Sequence, residues 1–175
     1  ALTSEIPSIE TGVTALPDWY TGKGNLQDLL QDAKELKASL ETNNVISGVQ
    51  DLQNALENGT KPLEELLEEA QNALENLQNI PNLPQGDYNN ALNEIQDLLT
   101  NIDNEFKEDA NDALNEIIDT LDKSKVPDLE QILTHIQDEE AKQDLQDKLD
   151  SLKQIIDKKD ELEDLISSLE DNMNN

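Results

Sequence analysis

The chain has no cysteine, which excludes disulfides and thiolate metal sites. It has no arginine either, so all 12 basic residues are lysines. His135 is the single histidine. With no second histidine, no glycine-rich phosphate loop and no nucleophile elbow, the familiar catalytic and metal motifs are missing. Aromatic residues are limited to Trp19, Tyr20, Tyr88 and Phe106. A core must therefore come from Leu, Ile and Ala, which suits side-by-side helices better than a sheet. No apolar run approaches the roughly 20 residues that a membrane-crossing helix needs.

These gaps set the chemical expectation: no catalytic residue, no cofactor, no specific metal and no enzyme. Asp103, Asn104, Glu105, Glu108, Asp109 and Asp112 form the densest oxygen-rich stretch. They lack the glycine-containing loop of an EF-hand, and on a helix Asp103 and Glu105 point to different sides. Weak, diffuse binding of calcium and other cations is the expectation there. His135 falls between Ile132 and Ile136, at the edge of a buried face, where a lone histidine serves structure more often than catalysis.

What is present in excess is acid. Forty Asp and Glu residues against 12 lysines give a net charge of -28. That opposes binding to nucleic-acid phosphates, which needs a basic face. It also opposes docking on anionic membranes. The partners such a surface suits are basic proteins, cations and neutral apolar surfaces. Only 35% of the residues are hydrophobic, below the usual share, yet they recur with helical period, unlike those of a disordered acidic chain.

The organising stretch is Tyr88 to Leu121. Apolar residues fall at Tyr88, Leu92, Ile95, Leu99, Ile102, Phe106, Ala110, Ala113, Ile117 and Leu121, in steps of three and four that trace one helix face. Asp87 is placed as its N-cap. Leu99, Ala110 and Leu121 recur at eleven residues, as do Ile95, Phe106 and Ile117, so a straight rod is expected rather than a heptad coil.

Residues 1–24 contain Pro7, Gly12, Pro17, Gly22 and Gly24 and read as an irregular arm. The arm carries a charge of -2 by count, from Glu5, Glu10 and Asp18 against Lys23. Residues 25–175 read as a single helical bundle domain. Asn25 is expected to cap a helix whose stripe is Leu26, Leu29, Leu30, Ala33, Leu36 and Leu40. A break or kink is expected at Thr42-Asn43-Asn44, where the phase shifts to Val45, Ile46, Val49, Leu52 and Leu56. Asn58-Gly59 signals a helix end, and Pro62 the next start. Pro81, Pro84 and Gly86 mark the firmest boundary. Val126-Pro127 opens the last arm, with a break near Asp138. The stripe Leu145, Leu149, Leu152, Ile156, Leu162, Ile166 and Leu169 follows, interrupted by Lys158-Lys159. The predicted fold is all-α: an elongated antiparallel bundle of about four long arms, some kinked, near residues 25–58, 61–80, 87–122 and 127–172.

Trp19 and Tyr20 are the candidate contact residues. They belong either to an exposed recognition patch or, the favoured reading, to a staple packing the arm onto the bundle. A staple at Trp19 would cost about 3 kcal/mol to remove. Asn58-Gly59-Thr60 is an N-glycosylation sequon, with Asn58 as acceptor. The sequon, and an opening at Ala1 without methionine, fit a mature secreted product.

In composition alone, the cysteine-free, aromatic-poor amphipathic helices are similar to exchangeable apolipoproteins, and Pro62 and Pro84 stand twenty-two residues apart like their repeat punctuation. Acids flank the apolar faces here, where those proteins carry basic residues. The sequence expectation is thus a non-enzymatic, acidic, secreted structural or protein-interaction module. A carrier of lipid or another apolar ligand is the first alternative. An acidic nucleic-acid mimic occupying a basic protein is the second. Crowded carboxylates are expected to raise many folded-state carboxyl pKa values, individual caps such as Asp87 going the other way, and to favour the native state near about pH 5 over pH 8.

Overall fold

The computed structural model describes residues 2–174. They form six α-helices joined by short connections and, among the described residues, no strand. The helices are α1 (Leu2–Thr14), α2 (Lys23–Glu57), α3 (Leu63–Gln78), α4 (Gln85–Thr120), α5 (Val126–His135) and α6 (Glu139–Met173). A single 3-10 turn, Lys123–Lys125, precedes α5. The protein is all-α, with its helices packed on one another.

Contacts cluster in two units, residues 1–99 and 100–175. In the first, α2 packs against α1 and α3. Its core includes Ile6 and Val13 of α1, Ala38 and Val49 of α2, Leu66 and Leu77 of α3, and Ile95 from the first part of α4. In the second, Ile102, Phe106 and Ile117 of α4 are buried, as are Leu129 and Leu133 of α5 and Leu145, Leu149 and Ile156 of α6. The column Ile95, Phe106 and Ile117 is buried as the eleven-residue recurrence requires.

Local chemistry fixes the helix boundaries. Asn58 ends α2 and Gly59 follows at φ 60°. The Thr60 amide then donates to Ala55 O at 3.0 Å and the Gly59 amide to Leu56 O at 3.2 Å, the paired bonds of a Schellman stop. Pro62 stands at the N-cap of α3 with an extended ψ of 145°. Asp138 breaks the last arm as expected. Its carboxylate accepts from the Ala141 amide at 3.1 Å and caps α6.

Four expectations are corrected. The arm is not irregular over its first half, because residues 2–14 are helical with Pro7 inside. Ile6, Ile9, Val13 and Leu16 step by three, four and three, and burial of Ile6 and Val13 outweighs the hydrogen bond that Pro7 cannot donate. Among the described residues of the arm, irregular chain is confined to residues 15–22. Asn25 and Asp87 are not N-caps, since α2 starts at Lys23 and α4 at Gln85. Asp87 instead accepts from Ser39 Oγ at 2.5 Å, tying the first turn of α4 to α2. No break occurs at Thr42: α2 is continuous there, and the buried Thr42 hydroxyl donates to Ala38 O at 2.8 Å within the helix. Leu121 lies just beyond α4, in a left-handed conformation with φ 50°.

Candidate functional site

The sequence points to the corner between α1 and α2, and the structure changes its meaning. Trp19 is 81% exposed, so it does not staple the arm to the bundle. Lys23 holds the corner instead. Its ammonium donates to Leu16 O at 2.8 Å and to Asp18 Oδ1 at 2.6 Å. The chain turns twice here, through Tyr20 N to Pro17 O at 3.0 Å and Lys23 N to Tyr20 O at 3.0 Å. The Tyr20 ring lies over Gly22, so that a Cβ there would stand 2.7 Å from Cε1. The indole is left projecting from the corner.

Beside this corner α2 begins with a bare apolar row. Leu26, Leu29, Leu36 and Leu40 are all exposed, although they are most of the stripe expected to be buried. With Ala33 between them their steps are three, four, three and four. The face that α2 does bury here is Leu30, Ala38 and Thr42, which lets neighbouring backbones approach closely. A second bare row runs along α6 through Ile155, Leu162, Ile166, Leu169 and Met173. Neither row was legible as exposed, because helical period shows which face is apolar and not whether another element covers it.

Around these rows the electrostatics are one-sided. Each of the 12 lysines lies within 4.0 Å of a carboxylate. The cations are thus held by the protein's own acids. Exposed pairs of this kind are worth little to stability, but they leave the surplus of carboxylates to dominate the outward field. At Asp18 and at the two caps Asp122 and Asp138 the carboxyl pKa moves down. Hydrogen bonding to Lys23, together with its charge, lowers Asp18. The Ser124 hydroxyl and amide lower Asp122. The Ala141 amide and the Lys107 ammonium lower Asp138. At these positions local donors outweigh the desolvation that raises a carboxyl pKa.

His135, Asp103 and Asn58 have structural partners. The His135 ring stacks on Phe106, with centroids 5.1 Å apart and planes 22° apart. Asp103 is buried, and its Oδ1 accepts from the Gln137 amide at 2.6 Å. That bond holds the segment between α5 and α6. Among the described residues no three carboxylate or histidine groups converge to hold a metal. Asn58 is exposed at the end of α2, its side-chain amide donating to Asn54 O at 2.7 Å. Between α2 and α3 lies an open groove of 390 Å³, lined in part by Val45, Gly48, Leu52 and Ala73.

The chain matches no family model, no curated protein and no solved structure.

Proposed function

We propose that this chain is a non-enzymatic, acidic protein-interaction module whose docking face is the Trp19 corner with the leucine row of α2. The observation that carries this reading is the row itself. Leu26, Leu29, Leu36 and Leu40 stand bare at helical spacing, next to an indole of the residue type that anchors interfaces. The net charge of -28 selects the partner: an amphipathic helix with an apolar face and basic borders. Secretion belongs to the same proposal, with exposed Asn58 as the glycan acceptor.

Trp19 is the only tryptophan and reports on its own surface. Titration with a synthetic leucine-faced, lysine-bordered helical peptide should shift its emission to the blue and saturate. Leu29→Glu with Leu36→Glu should weaken that response at least about tenfold, the equivalent of roughly 1.4 kcal/mol. No saturable response at low salt would remove the reading. The carrier reading is the alternative, favoured by bare apolar rows on both α2 and α6. On that reading zwitterionic phospholipid vesicles, and not the peptide, shift the emission.

A further inference from the structure

We propose that the second half of α6 is a self-association face, and that it takes the same face of a second copy of this chain in antiparallel register. The last buried residue of α6 is Ile156. From Asp157 to Met173 no side chain is buried. Such a stretch lacks the tertiary packing of an apolar face from which most helical stability in proteins comes. Its apolar residues are also the most exposed of α6: Leu162 58%, Ile166 55%, Leu169 59% and Met173 76%. From Ile155 onward the positions 155, 159, 162, 166, 169 and 173 step by four and three alternately. That is the narrow seam of a two-stranded coiled coil, with Lys159 as its one polar layer.

Spacing and charge together choose the occupant. Reversed on itself, the seam is self-complementary. Leu162 meets Ile166 of the second copy, Lys159 meets Leu169, and Ile155 meets Met173, each layer occurring twice. Leu165, 66% exposed, then flanks the two-fold axis opposite its own counterpart. Lys158 and Lys159 stand at one end of the seam, Glu170 and Asp171 at the other. Reversal brings Lys158 level with Glu170 of the second copy, whereas parallel pairing stacks Lys159 on Lys159. The present partners of these lysines, Glu161 and Glu163, form solvent-exposed pairs within one helix, which exchange at little cost.

Reversal also separates the bodies. Outside the seam, residues 100–154 carry 16 carboxylates against 6 lysines, a net -10. An overlap of residues 155–173 sets the packed ends about 27 Å apart, well beyond the Debye length of about 8 Å at physiological ionic strength. Parallel pairing would set them side by side. The proposal does not depend on the α2 face, and Trp19 fluorescence and self-association are separate readouts.

Sedimentation velocity on the full chain, across a wide concentration series at physiological salt, should show monomer passing to dimer. Leu162→Glu with Ile166→Glu should hold the chain monomeric without lowering its melting temperature at dilute concentration, since neither side chain is buried in the monomer. The cysteine-free background gives the register directly. A short bis-maleimide should link Leu165→Cys into dimers and leave Leu169→Cys monomeric, because antiparallel pairing separates the two copies of residue 169 by about 15 Å along the axis. Efficient linking of Leu169→Cys would mean parallel pairing and overturn the proposal. A monomer at every concentration would also overturn it. So would a monomer whose Leu162 face instead binds phosphatidylcholine vesicles.

Discussion

Gly59 takes φ 60° with nothing within 4 Å of the position a Cβ would occupy. Space is therefore not the issue, and the cost of a side chain there is conformational. Gly59→Ala should destabilise by about 1 kcal/mol, read as a lower urea midpoint at unchanged m. Trp19→Ala should instead move stability by no more than about 0.5 kcal/mol, as for an exposed side chain. A loss near the size expected of a buried staple would show the indole to be packed. Asp138 gives the pH dependence. Its folded pKa is depressed, first by the Ala141 amide and then by Lys107. A depressed carboxyl stabilises above its unfolded value of about 3.9 and loses that contribution as pH falls through the folded value. Asp138→Ala should thus lower the melting temperature at pH 7, and the gap to wild type should close in the acid limb below about pH 4.

At the scale of the helix, α6 divides at Ile156. Residues 145–156 hold its buried side chains, and residues 157–173 hold none. Hydrogen exchange of dilute protein should be slow in the first segment and fast in the second, because local stability follows buried contact. Equal protection in both would mean that the second half is covered even in the monomer. Much of this level was legible in the sequence. The unbroken phase of Tyr88 to Leu121 announced α4, Asn58-Gly59 the end of α2, and the shift of phase before Leu145 the break near Asp138. Two things were hidden. Pro7 and Gly12 masked α1, although Ile6, Ile9, Val13 and Leu16 kept helical steps. In α2 the leucines drew attention to the bare face, while the packed face runs through Ala38 and Thr42, which no hydrophobic stripe reveals. The candidate contact pair Trp19 and Tyr20 could be located from residue type. Its exposure could not, because that depends on Lys23 closing the corner instead.

Across the whole molecule the surplus of acid governs how the surface responds to salt. All 12 lysines already have carboxylates beside them, and the net charge is still -28. Sodium chloride should therefore raise the melting temperature at pH 8 by screening repulsion over about 8–10 Å. Calcium at matched ionic strength should do little more, since no set of ligating groups converges among the described residues. A calcium increment well above that of sodium would reveal a specific site. The same chain also has an unusual redox simplicity. With no cysteine and one methionine, it contains a single sulfur atom, at Met173, which is 76% exposed at the end of α6. Peroxide has one thioether to convert, and the sulfoxide is polar where the thioether was apolar. Oxidative damage to sulfur in this protein is confined to the tip of one helix and leaves the core untouched.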